Sequence, residues 1–210
     1  MASVIRTISI GAIDSLPMGI TTDGKYLWGV GAAGRVIVQM DKSGKLIKKF
    51  SVSGIDSIPM GIATDGKYLW FLGAFNSIVV QMDKSGKALK TIDISGIASS
   101  PRGITTDGKY LWLIGNTNKI IVQMDKSGKA LKTIDISGID SSPRGITTDG
   151  KYLWLIGNTN KIIVQMDKSG KLIKMVDVSG IDSSPSGITT DGKYLWWIGN
   201  TNKVIIQMEI

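Results

Sequence analysis

The chain has 210 residues, 42% of them apolar, with 25 Lys and Arg against 17 Asp and Glu for a formal charge of +8. It contains neither cysteine nor histidine, which excludes disulfides, thiolate chemistry, and both the commonest general base and the commonest metal ligand. No apolar run approaches the roughly 20 residues of a membrane-spanning helix, and the start, Met1-Ala2-Ser3-Val4-Ile5-Arg6, lacks the basic segment and apolar core of a secretory signal. The expectation is a soluble protein, cytoplasmic if natural, with no membrane partner.

The dominant signal is a repeat. Pro17, Pro59, Pro101, Pro143 and Pro185 step by 42 residues, as do Trp28, Trp70, Trp112, Trp154 and Trp196. A fixed period of this size marks a repeat architecture. The 26 glycines recur at fixed phases of the repeat, as turn residues do. The chain opens with Val4-Ile5-Arg6-Thr7-Ile8-Ser9-Ile10, which aligns with Leu46 to Val52, the last run of the next copy.

The copy from Pro101 to Ser142 shows the elements in order. Gly103-Ile104-Thr105-Thr106 is a short β-prone run ended by Asp107-Gly108-Lys109, and a D-G pair between apolar runs is a strong hairpin signal. Tyr110 to Ile114 is aromatic and β-branched and stops at Gly115-Asn116-Thr117-Asn118. The third run is Lys119 to Met124, followed by the turn Asp125-Lys126-Ser127-Gly128-Lys129. The fourth is Ala130 to Ile136, and Ser137 to Ser142 leads to the next proline. No stretch carries a useful 3.6-residue period.

The third run is apolar on both parities, with Ile120, Val122 and Met124 on one face and Ile121 on the other. A strand buried on both faces belongs to a sheet packed between two others. The fourth carries Lys132 and Asp135, as a partly exposed outer strand would. Four antiparallel strands per 42 residues, packed face to face, predict a single all-β domain over residues 1–210, a five-bladed β-propeller. The blades span about 17–58, 59–100, 101–142, 143–184, and 185–210 completed by 1–16. The chain begins in a fourth strand and stops in a third, so the N-terminal strand is predicted to pair into the last blade and seal the ring.

The pattern Pro-x-Gly-Ile, Asp-Gly, Tyr-Leu-Trp, Asn-x-Asn-Lys-Ile, Gln-Met-Asp, Ser-Gly-Lys resembles the NHL repeat, and more loosely the blades of streptogramin lyase-like propellers. The resemblance covers all five copies and implies a propeller fold without fixing one activity. Enzymes with related blades rely on histidines that this chain lacks, so no catalytic residue is carried over. Residues 101–129 and 143–171 are identical, which fits recent duplication or deliberate construction.

Differences between copies fall at one end of the blades. After the proline stand Met18, Met60, Arg102, Arg144 and Ser186. The loop between second and third runs reads Ala32-Ala33-Gly34-Arg35, Ala74-Phe75-Asn76-Ser77, and then Asn-Thr-Asn-Lys at 116–119, 158–161 and 200–203. Gly29, Phe71, Leu113, Leu155 and Trp197 precede it. Asn116, Asn118, Lys119, Asn158, Asn160, Lys161, Asn200, Asn202 and Lys203 could bind a hydroxyl-rich ligand, or serve simply as turn residues that tolerate positive φ. Arg102 and Arg144 could clamp a carboxylate or phosphate near the channel mouth. Asp14, Asp56, Asp140 and Asp182, with Ala98 in the fifth place, read as turn caps rather than a Ca²⁺ ring. The tryptophans read as inter-blade core, with Trp197 more exposed than its neighbour.

The lysines recur in every copy (Lys25, Lys67, Lys109, Lys151 and Lys193). They spread the charge around the molecule, and a nucleic-acid partner is not expected. The expectation is a non-enzymatic binding module or scaffold with no catalytic residue, metal or cofactor, taking a protein or carbohydrate ligand on its loop face. The alternative is lectin-like sugar binding through the Asn-Thr-Asn-Lys loops. A monomer is expected, with near-identical blades inviting swapped oligomers.

Overall fold

A short N-terminal strand, β1 (Val4–Ser9), precedes four complete sheets and closes a fifth. The structure is a computed structural model and describes residues 3–11 and 14–209. The first blade holds β2 (Pro17–Thr22), β3 (Leu27–Gly31), β4 (Val36–Met40) and β5 (Leu46–Ser51). The second holds β6 (Pro59–Thr64), β7 (Leu69–Gly73), β8 (Ile78–Met82) and β9 (Ala88–Asp93). The third holds β10 (Pro101–Thr106), β11 (Leu111–Gly115), β12 (Ile120–Met124) and β13 (Ala130–Asp135). The fourth holds β14 (Pro143–Thr148), β15 (Tyr152–Gly157), β16 (Ile162–Asp167) and β17 (Leu172–Asp177). The fifth runs β18 (Pro185–Thr190), β19 (Tyr194–Gly199), β20 (Val204–Glu209) and then β1. Every pairing is antiparallel. The inner strands pack side by side around a ring, with β18 against β2. This is a five-bladed β-propeller, as the 42-residue period predicts.

The core lies between blades. The tryptophans at 28, 70, 112, 154 and 196 are each about 1% exposed. Trp112, for example, packs with Leu153, Leu155 and Val164 of the following blade. Trp197 corrects the sequence reading: it is 0% exposed. Strand alternation turns it to the opposite sheet face from Trp196, where its indole N–H reaches the Met208 sulfur at 3.1 Å. The outer strands keep Leu46, Ile47, Leu89 and Leu131 exposed, as their mixed composition suggests.

At one end of the ring, the Thr-Asp-Gly-Lys hairpins are stitched to neighbouring blades. Asp23 accepts from the Tyr26 amide at 2.8 Å, the Trp28 indole at 3.3 Å, and Lys84 of the next blade at 2.7 Å. The same clamp joins Lys126 to Asp65, Lys168 to Asp107 and Lys42 to Asp191. Each lysine also stands over the tryptophan, as Lys126 does over Trp70 at 5.4 Å, a cation–π contact. Asp149 holds Trp154 at 3.1 Å but has no lysine among the described residues; the position 42 beyond Lys168 is isoleucine.

Burial pushes the carboxyls of Asp23, Asp65, Asp107 and Asp191 up, but hydrogen bonds from the lysine, the tyrosine amide and the indole outweigh it. All four stand below the ordinary value of 3.8. A folded-state pKa below the unfolded one contributes stability that is present above the unfolded value and disappears as pH falls through the folded one. The melting temperature, followed by circular dichroism, is therefore expected to stay level from pH 7 to about 5 and to fall below about pH 4. In Asp107→Asn that acid-induced fall is smaller.

Candidate functional site

The opposite end of the ring carries the variation between blades. Each inner strand begins Pro-x-Gly, and the residue after the proline sits at the end of the central channel. Neighbouring inner strands approach so closely that glycine is required: a Cβ on Gly145 would lie 2.5 Å from the Ser186 carbonyl oxygen. The channel is consequently narrow. Its mouth, open to solvent, is bordered by Met18, Met60, Arg102 and Arg144. Ser186 is buried, its hydroxyl 3.5 Å from the Pro17 carbonyl.

The two arginines form a like-charged pair on adjacent blades. Burial pushes the Arg144 guanidinium down from its ordinary value, and the charge of Arg102 adds to this. The Nε of Arg144 is buried with no hydrogen-bond partner. A guanidinium N of Arg102 lies 4.0 Å from the Met60 sulfur. Among the described residues every ion pair joins a lysine to an aspartate at the other end of the ring, so neither arginine has a carboxylate. An arginine stays charged at any working pH. Burial without a carboxylate disfavours such a like-charged pair, and guanidinium groups suit oxyanions.

The loops around the mouth are anchored by buried aspartates. Asp140 accepts from the amides of Ser142 at 2.7 Å, Thr159 at 3.3 Å and Asn160 at 2.7 Å. Asp56 and Asp182 repeat this bonding with Ile58, Phe75 and Asn76, and with Ser184, Thr201 and Asn202. Asp14 holds Leu16 and Gly34. These residues cap turns, as the sequence suggests. Replacing Asp56 by Ala strands three amides and is expected to cost about 2 kcal/mol, or roughly 5 °C in melting temperature, measurable by calorimetry.

Blade three, where Ala98 stands in place of the aspartate, compensates from the other loop. There the Asn118 carboxamide oxygen sits where a Cβ on Gly115 would collide with it, as the Asp140 carboxyl does opposite Gly157. Asn118 thus fills the missing cap's space.

The Asn-Thr-Asn-Lys residues lie one set per blade on three successive blades, and some of their side-chain polar groups are engaged within the loops. Lys119, Lys161 and Lys203 take φ of +50°, +53° and +52°. The Lys119 ammonium bonds the Asn116 carbonyl, and that of Lys161 bonds the Asn158 carbonyl at 2.7 Å. The Asn160 amide group donates to the Ile139 carbonyl at 3.1 Å. The side-chain oxygen of Asn158 faces the Ser184 hydroxyl at 3.4 Å, while those of Asn116 and Asn200 are buried without a partner.

Sequence reasoning singled out the arginines, the methionines and Phe75 at this end of the ring, but not Leu16 and Ile58. On blades one and two, Leu16 and Ile58 stand exposed before the proline, and Phe75 is 67% exposed. Blades three to five carry Ser100, Ser142 and Ser184 at the positions of Leu16 and Ile58. The available signal was the joint change from Leu/Ile-Pro-Met to Ser-Pro-Arg. The end of the ring is thus apolar on one side and cationic and polar on the other.

No protein-family model and no curated protein sequence matches the chain, so the resemblance to NHL repeats goes no further than a five-bladed propeller. Solved structures share the fold. Glutaminyl cyclase from Myxococcus xanthus superposes with a TM-score of 0.79 over 99% of this chain and 95% of its own, at 11% identity. A catalytically inactive histidine-to-alanine variant of virginiamycin B lyase from Staphylococcus aureus, with quinupristin, gives 0.60 over 92% of this chain and 66% of its own, at 23% identity. A propeller of the nidogen/laminin complex gives 0.67 over 90% and 74%, at 18% identity. These likenesses bear on fold alone. They correct the expectation that the chain is not an enzyme: a cyclase and a lyase are built on this architecture beside a binding protein, so a propeller of this shape is no argument against catalysis.

Proposed function

We propose that this propeller binds a small amphipathic organic anion at the channel mouth. Arg102 and Arg144 hold the carboxylate or phosphate, and Met18, Met60 and the apolar side of the ring take the rest of the molecule. One observation carries the reading: the Arg144 Nε is buried without a partner beside a second arginine, in a structure that supplies neither with a carboxylate. Guanidinium forks match planar oxyanions. Thioether side chains adapt to irregular apolar ligands.

The test is a calorimetric titration with hexanoate, acetate and hexanol at low salt. Hexanoate is expected to bind at least about tenfold more tightly than acetate, from burial of its methylenes. It should also exceed hexanol, which lacks the charge, and weaken as salt screens the arginines. Equal binding of hexanoate and hexanol, or none of either, would remove the proposal. Mass analysis of bound ligands after long incubation reads whether binding is accompanied by turnover.

A further inference from the structure

Two methionines border the channel mouth, and their surroundings differ. Met18 on blade one is 8% exposed and stands between Met60 of blade two and Ser186 of blade five. Met60 is partly exposed and rests on the cluster that holds Trp70, Leu72 and Ile104. Its neighbour at the same position of blade three is Arg102. The Nη1 of that arginine lies 4.0 Å from the Met60 sulfur, the acceptor it finds among the described residues. A thioether is a weak acceptor, so the guanidinium stands beside a group that satisfies it poorly. The other methionines separate into two kinds. Met40, Met82, Met124, Met166 and Met208 are at most 2% exposed, whereas Met175, on the outer strand β17, is 51% exposed.

We propose that Met60 is a reversible oxidation site that switches the channel mouth, with hydrogen peroxide as the oxidant. The sulfur lone pair attacks one peroxide oxygen, and the S–O bond forms as the O–O bond breaks. The departing oxygen takes the proton of the transferred one and leaves as water. Sulfur is oxidised to the sulfoxide and the peroxide is reduced. A methionine sulfoxide reductase returns the thioether at the expense of a dithiol. The new oxygen lies one bond from a sulfur that already faces Arg102, and rotation about the unbranched side chain brings it to the guanidinium. Its hydrogen bond to the cation is charge-assisted, which the thioether does not offer. Arg102 is then held by Met60 instead of an external anion. That last consequence rests on the anion reading above; the oxidation and the capture of Arg102 do not.

The experiment treats the full chain with dilute hydrogen peroxide and maps its peptides by mass. Sulfoxide is expected at Met60 and Met175, with the buried methionines unchanged. Capture is read from the Arg102 side-chain Nε–Hε NMR signal. It should shift on oxidation in the wild type and in Met175→Leu but not in Met60→Leu, and the reductase should reverse it. Leucine is close to methionine in volume, so both variants keep the fold. Oxidised wild type should bind hexanoate about tenfold more weakly, the equivalent of one charge-assisted hydrogen bond. Peroxide should leave the affinity of Met60→Leu where it stood before treatment. Met60 unmodified while Met175 is oxidised would overturn the proposal, as would an Arg102 signal indifferent to the sulfoxide. Equal hexanoate affinity before and after oxidation would refute the switch. Should hexanoate fail to bind the untreated chain, the anion reading falls by itself and the Arg102 signal still decides whether Met60 captures it.

Discussion

Removal of residues 1–10 is expected to abolish the cooperative melting transition, or to lower its midpoint by at least about 15 °C. Strand β1 is the fourth strand of the fifth blade, paired to β20 with Thr7 opposite Ile206 and Ile8 opposite Ile205. The Ile10 amide bonds the Lys203 carbonyl at 2.9 Å. Ile8 and Ile10 are buried in one cluster with Leu27, Val38, Trp196 and Ile205, so they belong to the seam between blades five and one. Each buried isoleucine contributes about 1.5–3 kcal/mol, and each ladder hydrogen bond about 1 kcal/mol. Together this is on the order of the whole stability of a domain. Truncation also bares the edge of β20, an invitation to aggregation. A synthetic peptide of residues 1–10 added to the truncated chain should restore the transition by strand addition. A truncated chain that melts within a few degrees of the intact one would place the ring's stability elsewhere.

The architecture was legible because each structural level repeats every 42 residues. The Asp-Gly hairpins, the doubly apolar third run and the period of proline and tryptophan all demand the same blade, and five copies multiply the signal. The closing strand was legible from register, since Val4 to Ile10 reads as a fourth run standing before any first run. What escaped depends on contacts between different loops or blades. Asn118 looked like its copies Asn160 and Asn202, yet its side chain serves a different purpose because Ala98, twenty residues earlier, leaves a space. Trp197 was read as more exposed than Trp196 because it breaks the pattern of the other copies, but in a propeller both sheet faces are covered. The proximity of Arg102 and Arg144 did follow from sequence, because equal phase on an inner strand brings residues to one channel. That Arg144 is left without a partner required the surroundings.

Exchanging both arginines for methionine is expected to weaken hexanoate binding at the channel mouth at least a hundredfold while leaving the fold intact. Methionine is the informative replacement because blades one and two carry it at the same position, as Met18 and Met60, so the ring already accommodates that side chain. A hydrogen bond to a charged group contributes about 1.5–3 kcal/mol, and loss of two guanidinium forks exceeds the roughly 2.7 kcal/mol that corresponds to a hundredfold change. Stability should hold or rise, since the double variant removes a half-buried like-charged pair and the unpartnered Nε of Arg144. This sets it apart from a structural role, in which loss of binding and loss of melting temperature would travel together. Arg144→Lys alone keeps the charge but not the planar fork, and binding weakened by about tenfold would show that geometry matters beyond charge. Undiminished hexanoate binding in the double methionine variant would move the anion site away from the channel. Lost binding with an unchanged or higher melting temperature would identify the arginine pair as a feature maintained for its ligand, at a cost to the ring that holds it.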